Sequence, residues 1–142
     1  MTTQRSARQP ISLDDALASF DQTWSPRIVT RINDYDVRIA KTEGEHIWHN
    51  HEDTDEFFMV LDGRCDIHLR ESDGAERVVR LDQGDVFVVP KGQYHRPSLP
   101  GASILMFERT GTSTTGNEAE IPDHVDSTAG HELAVATSSA RK

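Results

Sequence analysis

Cysteine is almost absent from this chain: Cys65 is the single one among 142 residues. One thiol rules out an intramolecular disulfide and removes the thiolate cluster of a structural zinc site, so Cys65 reads as a small packed side chain. Basic residues are scarce as well. Fifteen Lys and Arg face 24 Asp and Glu, for a formal net charge of -9 and a pI near 5.1. Phosphate backbones and anionic membrane surfaces are recognised by clustered Lys and Arg, and the sequence holds no such cluster; neither nucleic acid nor membrane is expected as a partner. Long apolar runs are missing too. Nothing approaches the ~18 apolar residues of a membrane span, and the opening residues MTTQRSARQPIS contain no apolar stretch suited to a signal-peptide core. A soluble cytoplasmic protein is expected, with room for one domain and one hydrophobic core.

Residues 1 to 11 are polar. Ser12 followed by Asp15 resembles a helix start, and Leu13, Ala16, Leu17 and Phe20 fall on one face of a short amphipathic helix. From Ile28 the texture changes to short runs of β-branched and aromatic residues. Turn chemistry punctuates them at Asn33-Asp34, Glu43-Gly44, Asp62-Gly63, Asp73-Gly74, Gln83-Gly84 and Pro90-Lys91-Gly92. This spacing predicts strands near 27–32, 35–41, 46–51, 55–61, 64–70, 75–81, 86–89 and 102–108, an all-β barrel or sandwich. Three regions follow: an N-terminal arm with a helix (1–26), a β-barrel (27–109) and a polar segment (110–142). That last segment has few large apolar residues and is either a disordered tail or an arm packed across the barrel or a neighbouring subunit.

The chemistry concentrates between residues 46 and 95. His49 and His51 are one residue apart on a predicted strand, so period-two alternation turns both to one face. Glu56 returns on the next strand. Two neutral nitrogen donors and one carboxylate suit a borderline divalent ion. Between Thr42 and Gly63 stand seven acidic residues and no Lys or Arg, a local field that favours a cation. An H-x-H pair by itself does not distinguish a metal site from a packed face. The context that does is His95, delivered by the apolar run 86–89 and a Pro90-Lys91-Gly92 turn.

These two stretches resemble the two sequence motifs of the cupin superfamily. The first reads Gly44, His49, His51, Glu56 and Gly63, with four residues between His51 and Glu56 and six between Glu56 and Gly63; the second reads Gly84, Pro90, Gly92 and His95. Two positions depart from the family pattern: four residues separate Gly44 from His49 where five are usual, and Leu99 stands where Asn is common. The resemblance implies a double-stranded β-helix, or jelly-roll barrel. It also implies one divalent transition metal ion (Fe, Mn, Ni, Co or Zn) held by His49, His51, Glu56 and His95, and a homodimer.

Tyr94 and Arg96 flank His95, and Arg38 lies on the strand before the first motif; these three are the further candidates for contact with a substrate. Arg96 reads first as a surface ion-pair residue and second as a carboxylate-binding one, and the sequence does not say whether Arg38 faces inward. Phe58, Val60, Ile104 and Met106 are candidates for an apolar wall. Trp48 has parity opposite to the ligands, and His68, His124 and His131 read as surface residues. No second carboxylate or histidine is placed beside the four ligands, so the general base is left to Tyr94 or a metal-bound hydroxide. The expected function is a mononuclear metal-dependent enzyme acting on a small polar metabolite, of dioxygenase, isomerase, epimerase or lyase type. The alternative is a non-catalytic module that binds or senses a small ligand.

Overall fold

The computed structural model describes residues 9–134; the outer ends of the expected N-terminal arm and polar tail, 1–8 and 135–142, lie outside the described residues. One helix, α1 (Leu13–Ala18), precedes the strands β1 (Arg27–Ile32), β2 (Tyr35–Thr42), β3 (Glu56–Arg70), β4 (Glu76–Asp82), β5 (Val86–Val89), β6 (Tyr94–Arg109) and β7 (His131–Glu132). The helix starts where its capping chemistry places it: the Ser12 side chain accepts from the Asp15 amide, satisfying a first-turn N–H.

The strands form one curved sheet in the order β4-β3-β6-β2-β1-β7, with β5 paired to the first part of β3. Two long strands, β3 and β6, run antiparallel along most of their length and connect both halves of the barrel. The sequence places a turn at Asp62-Gly63. Instead the chain continues through it, and β3 is a single strand of 15 residues with a register shift between Val60 and Asp62. Gly63 permits this: at φ +83° its backbone passes so close to β6 that a Cβ would sit 2.4 Å from the Gly101 carbonyl oxygen. Likewise β6 begins at Tyr94, eight residues before the expected start at 102.

The expected strand at 46–51 does not form. Its amides pair unevenly, His46 N–H with the Pro97 carbonyl at 2.9 Å and His49 N–H with that of His95 at 3.0 Å, a step of three residues in this segment against two in β6. Only a lone bridge, His49 with His95, has ladder geometry.

Inside the barrel lie Ala40, Phe58, Val60, Cys65, Ile67, Leu69, Leu81, Val89, Ile104 and Met106. Cys65 is wholly buried, and burial pushes its thiol up to about 12, as fits an inert core residue. A second core forms outside β2, where Ile39 meets Val29, Ala16 and Phe20 of the N-terminal region, and Leu133. β2 is thus covered on both faces, with Asp36, Arg38, Ala40 and Thr42 inward and Ile39 beneath α1.

Residues 110–134 lie against the barrel and the N-terminal segment. The Leu133 amide donates to the Ile28 carbonyl, the Ser25 hydroxyl donates to Asp126 at 2.8 Å, and Val125 and Leu133 are buried. Gly116 seats the arm: its φ is +59° and a Cβ there would lie 2.3 Å from the Asn50 carbonyl oxygen.

Candidate metal centre

His49, His51, Glu56 and His95 are brought together in the barrel interior, each buried, with one potential ligand atom apiece all within 4.8 Å of one another. Glu56 opens β3 and His95 sits at the second residue of β6. The two histidines of the first motif come from the irregular segment, which is fixed by hydrogen bonds and not by a ladder. His49 and His95 exchange both backbone bonds, the Gly92 amide donates to the His51 carbonyl at 2.8 Å, and the Lys91 amide donates to Asp55 Oδ1 at 2.9 Å. The Pro90-Lys91-Gly92 turn therefore holds both motifs in register.

The ring nitrogens show how the cluster is prepared. His49 Nδ1 lies 2.9 Å from the Ile47 carbonyl oxygen, and His95 Nδ1 lies 2.9 Å from that of Gln93. Only an N–H can serve a carbonyl, so each Nδ1 carries the proton and each Nε2 presents a lone pair to the cluster, the arrangement that outer partners give metal-binding histidines. His51 Nε2 is buried, 3.3 Å from Glu56 Oε1, and poorly aligned for a hydrogen bond. His95 Nε2 lies 3.0 Å from the same oxygen. Several donor atoms converging on one point, one of them unpartnered, fit a divalent cation better than they fit one another.

Electrostatics agree. Burial, then the neighbouring His95 and His46, hold the His49 imidazole neutral, well below its ordinary range. Burial alone would raise Glu56, but the hydrogen bond from the Glu108 carboxyl, with the His51 and His95 rings close by, more than reverses this, and Glu56 stays ionised, well below the usual carboxylate range.

Two groups that sequence reasoning did not place here belong to the site. Glu108 of β6 is 3 % exposed and shares the inward face with Met106 and Ile104. Burial first, then the adjacent Glu56 charge, push its carboxyl well above the usual range, so it carries the proton shared with Glu56. His46 is 7 % exposed, packed between Trp24 and His49 with ring centroids 4.9 Å from each; burial brings it down to about 4 despite the pull of Glu56. Glu108 had one available signal, its period-two relation to two apolar residues on a strand. His46 had only its nearness to the motif.

The three further candidates are not gathered at the cluster. Tyr94 donates its hydroxyl to Glu118 at 3.0 Å and stacks on Trp48, with ring centroids 6.0 Å apart, on the outer face of the barrel. Arg96 lies over the same Trp48 ring and 3.6 Å from Glu45. Strand parity explains both, since neighbours of an inward His95 point outward. Arg38 does face inward, but its guanidinium is committed: Nε and Nη2 donate to Asp36 at 3.0 and 2.9 Å, and Nη1 donates to the Thr112 carbonyl at 3.0 Å. His68 is half-buried, its Nε2 2.9 Å from the Ser98 hydroxyl, while His124 and His131 are exposed on the arm.

A cavity adjoins the cluster, with about 30 Å³ open to the centres of water-sized molecules. His49 and Glu56 line it on the cluster side and Phe58, Ile104 and Met106 on the barrel side, while Trp24 comes from the N-terminal segment. Three of the four expected wall residues are thus present, and Val60 packs in the core instead.

Residues 35–107, half of the chain, match the cupin domain family. A crystal structure of a cupin-2 domain protein from Shewanella frigidimarina NCIMB 400 is 34% identical, with a TM-score of 0.65, covering 75% of this chain and 98% of that one. The uncharacterised protein YdbB of Bacillus subtilis is 38% identical over 68 residues; the match takes in 48% of this chain and 57% of that relative's length. Hydroquinone 1,2-dioxygenase from Sphingomonas sp. TTNP3, 19% identical with a TM-score of 0.64 over 75% of this chain and 34% of its own, shares the barrel fold. The matched segment runs from β2 into β6 and takes in both motifs and all four converging residues, and on that footing the chain belongs to the cupin family.

Proposed function

We propose that this cupin holds one divalent transition metal ion with His49, His51, Glu56 and His95 and uses it to transform a small polar metabolite in the adjoining cavity. The observation that carries the reading is the preparation of the donors: two Nδ1 protons are given to backbone carbonyls, leaving lone pairs directed at an ionised Glu56 beside an unpartnered His51 Nε2. Such an ion supplies Lewis acidity toward a substrate oxygen or, as iron, oxygen activation. The protein's own part is to orient and to exclude water. Backbone bonds fix the His49 and His95 rings, Glu56 contributes the negative charge, and Trp24, Phe58, Ile104 and Met106 keep the chamber apolar.

Against the alternative of a non-catalytic ligand-binding module stands the chamber's chemistry. A sensor pocket has no need of titratable groups beside the ion, whereas Glu108 and His46 line this one. The test of the metal reading is elemental analysis of anaerobically purified protein. Wild type is expected to carry one transition metal ion per chain, and His49→Ala combined with His51→Ala to carry none while remaining folded by circular dichroism; unchanged metal content in the double variant overturns the assignment. Iron in the wild type supports dioxygenase chemistry, zinc or manganese isomerase, epimerase or lyase chemistry.

A further inference from the structure

The cavity beside the cluster has a polar composition of its own. Apart from His49 and Glu56, the polar side chains lining it are His46, Glu108 and Thr114. Thr114 is occupied, donating to the Asp126 carbonyl at 2.8 Å and accepting from the Thr128 amide at 3.1 Å. The other two are not. Glu108 Oε1 and His46 Nδ1 are buried atoms without a hydrogen-bond partner, on residues 3 % and 7 % exposed. Buried polar atoms are almost always paired, and two orphans in one chamber beside a cluster of donors mark where a ligand completes the pairing.

We propose that the chamber selects an uncharged, hydroxyl-bearing small molecule, its hydroxyl pairing with Glu108 and His46. The proposal rests on the metal reading above and names the class of ligand that the same site takes. Charge argues first. Among the described residues no Lys or Arg lines the chamber, and the inward-facing Arg38 is committed to Asp36 and the Thr112 carbonyl. A carboxylate or phosphate beyond the coordinating atoms would lie against the ionised Glu56 in an otherwise apolar wall, with no counter-cation but the ion itself. Valence argues next. A hydroxyl donates once and also accepts, so it completes Glu108 Oε1, whose carboxyl proton faces Glu56, and the Nδ1–H tautomer of His46 together, which a ketone or an ether does not. Size argues last: about 30 Å³ admits a ligand of a few heavy atoms, since one water requires ~10–15 Å³.

The experiment uses full-length protein reconstituted with Co(II) and three molecules of nearly the same shape. Hydroxyacetone is uncharged with a hydroxyl, glycolate replaces its methyl by a charged oxygen, and 2-butanone replaces its hydroxyl by a methyl. Metal content is measured first, then each is titrated against the visible Co(II) spectrum. Wild type is expected to bind hydroxyacetone about tenfold more tightly than either analogue, and Glu108→Leu and His46→Leu to lose about that factor while keeping one Co(II) per chain. Glu108→Gln, which retains a hydrogen-bonding group in the same shape, is expected to keep the preference and separates a lost contact from a damaged fold. Failure of wild type to hold Co(II) overturns the metal reading. Co(II) bound with a preference for glycolate, or hydroxyacetone affinity unchanged in both leucine variants, overturns the ligand proposal alone.

Discussion

Acidification of the metal-free protein exposes the cost of the buried imidazoles, and His46 gives the clearest case. An imidazole in the unfolded chain titrates near 6.5, whereas burial holds His46 down to about 4 in the fold. Between these values the unfolded chain binds one proton more than the folded chain. The stability that neutral His46 contributes is therefore fully present above pH 6.5 and is lost as pH falls toward 4. At ~1.36 kcal/mol per pH unit the loss is about 2 kcal/mol by pH 5 and roughly 3 kcal/mol by pH 4. His49, also lowered, acts in the same sense. Glu108 opposes both, because its raised carboxyl keeps a proton in the fold, and the stability it contributes at low pH fades as pH rises. Total slope is thus a sum of opposed contributions, but a difference between two proteins isolates one of them. His46→Phe keeps a ring between Trp24 and His49 and removes the titrating group. Denaturant unfolding with chelator present, at pH 7, 6 and 5, is expected to show wild type losing about 2 kcal/mol more than His46→Phe between the first and last of these. Parallel stability profiles for the two proteins would refute the assignment of His46 as a buried neutral imidazole.

Two further outcomes test how the site is framed. Arg38 and Asp36 are both wholly buried and paired, so Arg38→Met, which empties Asp36 Oδ2 of its donors but leaves Arg31 and Thr110 on Oδ1, is expected to cost about 2–3 kcal/mol in urea unfolding with metal content unchanged; loss of metal without loss of stability would return Arg38 to the site. Gly116→Ala forces a side chain into the left-handed region and against the Asn50 carbonyl, which is expected to cost at least about 1 kcal/mol and to lower the melting temperature by several degrees. Faster proteolysis of the 110–134 arm should accompany it, and wild-type melting and protection would show that the arm is not anchored there.

Local chemistry carried much of the site into the sequence. His49, His51 and Glu56 lie within eight residues of one another, and the turn that aims His95 is written in Pro90 and Gly92, so short-range patterns suffice to name the four residues. Ser12 and Asp15 place the helix for the same reason: a cap is a contact between residues three apart. Strand continuity was less legible. Whether Asp62-Gly63 makes a turn or a bulge depends on the approach of Gly101, which no local signal announces. The irregular path of 46–51 depends in the same way on carbonyls at 95 and 97.

Composition and period-two texture pointed by themselves to an acidic all-β chain, and the resemblance of its two motifs to those of the cupin superfamily implied the cluster of three histidines and a glutamate. Tertiary structure decided what surrounds that cluster. Glu108 is 52 residues along the chain from Glu56, yet the antiparallel pairing of β3 with β6 brings its carboxyl to Glu56. Arg38 is inward, but Asp36 and the arm's Thr112 take up its charge, while the parity of β6 turns Tyr94 and Arg96 outward beside an inward His95. The physical reason is range. Donor type and spacing are properties of a few adjacent residues, whereas the partners that set charge, protonation and shape in a barrel come from strands whose register is fixed only when the whole sheet closes.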